Sequence, residues 1–133
     1  MINKIDHLGI AVASLEEAGR VYRDMGFAYC GNEAVTEQGV NVSFFEVGES
    51  HIELLEPLGE DSPIAKFLAK RGPGIHHICV EVDDIDEALT RYREAGVTLI
   101  NKQPVLGAGG CRVAFVHPKS TFGVLLELKE KAR

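Results

Sequence analysis

The chain carries an internal repeat. The segment Asp6–Val12 returns seventy residues later as His76–Val82, and each copy continues into a similar helical pattern. Across residues 6–29 and 76–99, seven of the 24 aligned positions are identical, and most of the others pair one apolar residue with another. This similarity indicates a duplication, in which two copies of one supersecondary unit are expected to share a fold.

Each copy has the pattern of a βαβββ unit. A strand rich in branched residues leads into a helix, with an N-cap at Ser14 or Asp84 and a stop at Gly26 or Gly96. Further short apolar runs predict three more strands in each copy. The predicted strands are 7–12, 27–29, 40–47 and 51–55 in the first copy, and 76–82, 97–100, 111–116 and 123–128 in the second.

We therefore predict an α+β fold of two tandem βαβββ modules, at about 1–60 and 74–133, related by a pseudo-twofold axis. Residues 61–73 are predicted to join them as a short helix, capped by Ser62 with Pro63 at its first position, and a glycine-containing linker. A length of 133 residues leaves room for a single domain. Curved mixed sheets from the two modules are expected to form an open, metal-binding cup.

Composition narrows the class of protein and its partners. Hydrophobic residues make up 45% of the chain and charged residues 26%, which is typical of a soluble globular fold. The net charge of −6 disfavours nucleic acid, because that affinity comes mainly from Lys and Arg neutralising phosphates. No apolar run approaches the ~20 residues of a membrane span, and no signal-peptide pattern opens the chain. We expect a cytoplasmic protein without membrane or nucleic-acid partners.

The cysteines are few and scattered, at Cys30, Cys79 and Cys111. An odd number without regular spacing favours reduced buried thiols over a disulfide framework. None lies in a CxxC pair, the usual pattern of thiolate metal binding, so cysteine ligands are not expected.

Matching His and Glu residues stand at equivalent places in the two copies. His7 and His77 open the first strand of each module, whereas Glu53 and Glu127 lie on the last strand between apolar neighbours. Because side chains alternate along a strand, each Glu points away from those neighbours. Two imidazoles and two carboxylates suit one divalent metal, from Mn²⁺ and Fe²⁺ through Co²⁺ and Ni²⁺ to Zn²⁺, with positions left for water or substrate.

Taken singly, each of these four residues could be structural. A His on a strand is usually a polar group with a hydrogen-bond partner in the fold, and a Glu on a strand usually faces solvent. The recurrence of the same pair, 46 residues apart in one half and 50 in the other, favours the ligand interpretation. His76 is expected to face away from the site in a structural or supporting role. His51 and His117 have no symmetric partner, and their roles stay open.

Three stretches point to a known family: Glu53–Leu58 with Asp61–Leu68, Gly74–Cys79, and Gly107–Gly110 with Phe115–Ser120 and Gly123–Leu128. In them the chain resembles the vicinal oxygen chelate superfamily and, over nearly its whole length, the methylmalonyl-CoA epimerase family within it. The resemblance implies a homodimer that epimerises C2 of methylmalonyl-CoA by 1,1-proton transfer through a metal-stabilised enolate. It assigns the metal to His7, Glu53, His77 and Glu127, with Co²⁺ expected first and Mn²⁺, Ni²⁺ or Zn²⁺ as alternatives.

Inversion at C2 requires two acid–base groups, one on each face of the carbon. Pseudo-twofold symmetry would place Glu53 and Glu127 on opposite sides of the metal, and Glu127 is the first choice as base. Some epimerases carry a further glutamate on the strand after a Glu-Gln-Gly segment, where this chain has Val42. The second base therefore stays open among Glu53, Glu46 and a bound water.

Two segments bear on the rest of the substrate. Lys119 is the expected contact for the coenzyme A phosphates, and Lys102 and Arg112 are near enough in sequence to join it, although each could equally be a solvated surface charge. The segment Gly107–Gly110 predicts either a flexible loop between strands or a loop whose backbone amides approach the acyl group.

Two other functions are compatible with the same four residues. A glyoxalase I-type lyase would act on a glutathione hemithioacetal, but such enzymes usually have an arginine four residues after the first ligand His, where this chain has Ala11. They also usually have Asp-Pro-Asp-Gly where this chain has His117–Ser120. A metal-free protein that sequesters a ligand in the same fold would tend to lack part of the ligand set, and all four residues are present here.

Overall fold

The computed structural model describes residues 1–132, and over that range the chain forms eight strands and three α-helices. No helix in this part of the chain is long and apolar enough to cross a membrane. Short 3-10 turns lie at Thr36–Gln38, Ala108–Gly110 and Pro118–Ser120. The elements in chain order are β1 (Ile2–Ala11), α1 (Leu15–Asp24), β2 (Ala28–Val35), β3 (Val40–Val47), β4 (Ser50–Pro57), α2 (Pro63–Arg71), β5 (Gly74–Val82), α3 (Ile85–Glu94), β6 (Val105–Leu106), β7 (Arg112–Val116) and β8 (Leu126–Glu130).

The chain divides into two compact units, and the division falls inside β1. The first unit is His7–His76, and the second contains Met1–Asp6 together with the chain from His77 onward. The opening residues are tied to the second unit through Asn3, whose side-chain amide donates to carboxylate oxygens of Glu81 at 3.1 Å and Asp83 at 2.9 Å.

In the first unit, one helix covers a mixed four-stranded sheet. The second half of β1 pairs in parallel with β4, and β3 and β2 follow in antiparallel register. The Ser14 hydroxyl caps α1 by accepting the Glu17 N–H at 3.1 Å. The helix then packs on the sheet through a core built from Val12, Phe45 and Leu54, with Leu15, Ala18 and Tyr22 packed against it.

The second unit repeats this plan. Strand β5 pairs in parallel with β8, and antiparallel β7 and β6 follow. Asp84 caps α3 by accepting the Glu87 N–H at 3.0 Å, at the position equivalent to Ser14 in α1. The helix buries its apolar face in a core of Val82, Ile85, Leu89, Ala114 and Leu128.

The predicted α+β class and the βαβββ order are confirmed, but the strand predicted at 97–100 is wrong, and the strand predicted at 123–128 starts too early. Residues 97–100 contribute only an isolated bridge from Leu99 to Val116. The strand that pairs with β7 after α3 is instead β6. Ile100 and Asn101 both donate to the Phe115 carbonyl, which interrupts a regular ladder. The strand predicted at 123–128 begins instead at Leu126, because the two residues at 122 and 123 have φ of 56° and 99°, outside the β region.

Candidate active site and metal centre

His7 and Glu53 form a buried pair in the first unit. Gly9 on β1 lies opposite Glu53 on the parallel strand β4, so His7, two residues earlier, faces the same side of the sheet. The His7 Nδ1 atom lies 3.0 Å from Glu53 Oε2, and the two side chains are 6% and 8% exposed. The parallel register therefore brings together two residues that are 46 positions apart in the chain.

His77 and Glu127 form the equivalent pair in the second unit. Cys79 on β5 lies opposite Glu127 on β8, and His77 again precedes that partner by two residues. Its Nε2 atom lies 2.9 Å from Glu127 Oε1, with side-chain exposures of 6% and 10%. The same strand register thus produces the same pair in both modules, although the two rings present different nitrogens.

The donor chemistry of these pairs suits a divalent metal. Each pair offers one imidazole nitrogen and one carboxylate oxygen in a buried setting, where an ionised carboxylate needs a compensating partner. Imidazole and carboxylate together accept Mn²⁺, Co²⁺, Ni²⁺ and Zn²⁺, so the residues fit the class of ion but do not select one.

A phenylalanine lies across the strand from each of these glutamates, a feature not foreseen from the sequence. Phe44 is the cross-strand partner of Glu53, and Phe115 is that of Glu127. Directly opposed residues of an antiparallel pair share a face. The Phe115 ring also packs edge-on against His77, with centroids 5.7 Å apart. Aromatic rings beside a carboxylate reduce its contact with water and strengthen its local electrostatic interactions.

A second glutamate, three residues further along each strand, fastens that strand to its helix. Glu56 Oε2 accepts the Leu15 N–H at 2.9 Å, and Glu130 Oε2 accepts the Ile85 N–H at 3.1 Å. A carboxylate at a helix N-terminus satisfies a free N–H and interacts favourably with the helix dipole. Since the spacing is odd, these glutamates lie on the face opposite the buried His–Glu pairs.

We expect Glu130→Ala to lower the free energy of unfolding by about 1–2 kcal/mol, because it removes the acceptor at the start of α3. Glu130→Gln keeps an oxygen acceptor and should lower the free energy of unfolding by less. Urea unfolding measures both, with Glu94→Ala on the exposed end of α3 as the control, expected within about 0.5 kcal/mol of the parent. Equal losses in Glu130→Ala and the control would contradict the anchoring role.

His76, His117 and Val42 have structural surroundings. The His76 ring packs edge-on against Phe67 of α2, with centroids 5.1 Å apart. His117 Nδ1 accepts the Lys119 N–H at 3.0 Å and caps the 3-10 turn that follows. Val42 is 2% exposed, so its position supplies buried apolar volume and no acid–base group.

Arg112 is held in an ion-pair network of its own. Its Nη2 binds both carboxylate oxygens of Asp86 at 2.9 and 3.0 Å, and its Nη1 lies 3.3 Å from Glu130 Oε1. The hydrogen bond to Asp86 is the main reason that the pKa of Arg112 is raised. Two acidic neighbours therefore neutralise this guanidinium, whereas the Lys119 side chain is exposed.

The glycine-rich segment forms the connection between β6 and β7. The Gly107 N–H donates to the Cys111 carbonyl at 2.9 Å, and the Gly110 N–H donates to the Gly107 carbonyl at 3.1 Å. A Cβ atom on Gly107 would lie 3.0 Å from the Val113 side chain, so close packing favours glycine there. Two of the amides considered for acyl-group contact are thus used within the loop itself.

Comparison with known protein families identifies the superfamily of this chain. The chain belongs to the Glyoxalase/Bleomycin resistance protein/Dioxygenase superfamily, whose model matches residues 6–115. The predicted family resemblance is thereby confirmed.

Individual relatives are similar over almost the whole chain. It is 44% identical to the ethylmalonyl-CoA/methylmalonyl-CoA epimerase of Cereibacter sphaeroides, across 98% of this chain and 99% of that protein. It is 42% identical to the human mitochondrial methylmalonyl-CoA epimerase, across 97% of this chain and 74% of that one. Its structure matches a variant of Streptomyces coelicolor methylmalonyl-CoA epimerase in complex with 2-nitronate-propionyl-CoA, at a TM-score of 0.95 and 38% identity, covering 99% of this chain and 96% of that one.

Proposed function

We propose that this chain is a metal-dependent epimerase acting at C2 of methylmalonyl-CoA. The observation that carries the proposal is the buried His–Glu pair, which recurs in the same strand register in both modules. The activities of the human and Cereibacter sphaeroides relatives, which are 42% and 44% identical to this chain, support the choice of substrate. We further propose that the two modules act as a single domain, in a cytoplasmic homodimer.

In this proposal His7, Glu53, His77 and Glu127 together hold one divalent ion, Co²⁺ first, with Mn²⁺, Ni²⁺ or Zn²⁺ as alternatives. Each module would contribute one nitrogen and one oxygen donor. When bound, the ion would supply positive charge that lowers the free energy of an enolate at the thioester. Carboxylate oxygens from these residues would offset the charge of the ion within a buried site.

Glu127 is the proposed base for the first proton transfer. Its carboxylate takes the C2 proton, and the electron pair of the C–H bond passes into the enolate. Glu53, from the other module, would start protonated from solvent and donate that proton to the opposite face of the carbon, which inverts the centre and leaves Glu127 protonated. Phe115 and Phe44 would limit water beside the two carboxylates, so that their protons pass to and from carbon. Glu46 lies two residues after Phe44 on β3 and therefore shares its face of the sheet. Glu46 and a bound water remain the two alternatives to Glu53 as the second base.

Proton NMR in D₂O separates the candidate functions. With Co²⁺-loaded protein and a single epimer of methylmalonyl-CoA, we expect loss of the C2 proton signal and formation of both epimers. The hemithioacetal of methylglyoxal and glutathione should not be turned over. Turnover of the hemithioacetal without exchange at C2 would instead establish a glyoxalase I-type lyase, and binding of the thioester without exchange would indicate a sequestering protein.

Lys119→Ala should raise KM for methylmalonyl-CoA by roughly fivefold with little change in kcat, as expected when an exposed charge loses its attraction to a phosphate. The effect should shrink at high salt and disappear with the pantetheine thioester, which lacks the nucleotide phosphates. Lys66→Ala, an exposed lysine on α2, is the matched control. An unchanged KM in Lys119→Ala would remove this residue from the coenzyme A site.

A further inference from the structure

Cys30, Glu46 and His51 present three metal-ligating atoms at one place in the unit His7–His76. The Cys30 sulfur, a Glu46 carboxylate oxygen and a His51 ring nitrogen all lie within 4.8 Å of one another. They come from three adjacent strands, β2, β3 and β4. We propose that this triad binds a divalent transition-metal ion of the Zn²⁺ or Co²⁺ type, at a site separate from the buried His–Glu pairs.

Strand register explains how the three residues meet. Glu46 lies directly opposite His51 in the β3–β4 ladder, so the two side chains share a face. Cys30 is the extra residue at a register shift between Tyr29 and Gly31, and therefore has no cross-strand partner of its own. Such a bulge re-aims a side chain, and here it leaves the thiol beside the other two ligands.

The donor set and its surroundings suit an ion that is reached from solvent. Thiolate, imidazole and carboxylate together favour borderline ions such as Zn²⁺ and Co²⁺, which accept sulfur, nitrogen and oxygen ligands. Cys30 and Glu46 are exposed and His51 is half-buried, so water can complete the coordination. Within residues 1–132, the side chains of Glu46 and His51 make no hydrogen bond or ion pair, and the Cys30 thiol makes one weak contact, 3.5 Å to the Ala28 carbonyl.

Occupancy of this site would also affect the choice of second base. His51 lies two residues before Glu53 on β4, and both side chains face the same side of the sheet. An ion held by the triad would engage the Glu46 carboxylate as a ligand. Glu46 would then be unavailable for proton transfer, which leaves Glu53 or water for that step.

Co²⁺ titration of the metal-free full chain tests the triad through a signal that the four proposed catalytic ligands cannot give. Cobalt bound to a thiolate shows a sulfur-to-metal charge-transfer band in the near ultraviolet, and those four residues include no sulfur. We expect the band in the parent protein. It should disappear in Cys30→Ser, together with one bound Co²⁺ per chain, and persist in Cys111→Ser, which changes a cysteine of the other unit.

His51→Ala and Glu46→Gln provide a second check. Both substitutions should weaken binding of the Co²⁺ ion that gives this band. Absence of the band in the parent, its survival in Cys30→Ser, or unchanged cobalt affinity in both His51→Ala and Glu46→Gln would overturn the proposal. Exchange at C2 of methylmalonyl-CoA should be unaffected by Cys30→Ser. Failure of the epimerase proposal would therefore leave the band in place, and failure of the triad would leave exchange intact.

Discussion

Glu127→Gln should slow proton exchange at C2 of methylmalonyl-CoA by about 10²- to 10⁴-fold, the usual contribution of a positioned general acid or base. The amide has nearly the same shape and keeps an oxygen that can accept a hydrogen bond from His77, now 2.9 Å from the carboxylate. It cannot take up the proton from carbon. The fold should persist, and NMR exchange rates together with circular dichroism spectra measure the two properties separately.

Because Glu127 is also a proposed ligand, exchange must be measured at saturating Co²⁺. The loss should remain when the metal site is filled, which distinguishes proton transfer from metal affinity. Glu81→Gln is the matched control: it changes a partly exposed strand glutamate of the same unit and keeps an oxygen acceptor for Asn3. Its rate should stay within about twofold of the parent, as for a surface substitution away from the site. A fully active Glu127→Gln protein would exclude this residue as the base.

His7→Ala and His77→Ala should each abolish binding of the same single ion. If the four residues share one ion, losing a ligand from either module empties the whole site. If each His–Glu pair bound its own ion, either variant would keep one. Isothermal titration with Co²⁺ on a Cys30→Ser background counts only the ions of interest, and His117→Ala, at an exposed turn, is the control.

Either alanine variant also leaves a buried carboxylate without its imidazole partner. Breaking a buried pair in this way lowers the free energy of unfolding by about 3–5 kcal/mol. His7→Asn and His77→Asn keep a hydrogen-bonding group and should retain more of the fold, so they provide the same stoichiometric test if the alanine variants unfold. One ion remaining in any of these variants would contradict a shared site. Loss of the ion in the His117→Ala control would show that the effect is not specific.

The repeat predicts the fold because it constrains many residues at once. Apolar periodicity and helix caps place α1 and α3 nearly correctly, and Ser62 and Pro63 correctly mark the start of α2. The errors occur where backbone conformation breaks a favourable pattern. The run at 97–100 has strand-like composition, but its N–H groups bind outside a regular ladder, and the positive φ angles at 122 and 123 delay β8.

The candidate site could be predicted only in part, for a related reason. Symmetry alone identifies the two histidines and two glutamates, because equivalent residues recur at equivalent places. Phe44 and Phe115 could have been found from their offset of 71 residues, close to that of the repeat. The Cys30 triad could not, because its ligands converge through cross-strand register and a bulge rather than through a short motif such as CxxC.

The most direct test is the rate of C2 exchange in methylmalonyl-CoA as Co²⁺ is added to metal-free protein carrying Cys30→Ser. The proposed mechanism predicts no exchange above the solvent background without metal, then a rate that rises in proportion to added Co²⁺ and levels off at one ion per chain. A full rate in the metal-free protein would contradict the metal dependence. No exchange at any Co²⁺ concentration would contradict the epimerase function itself.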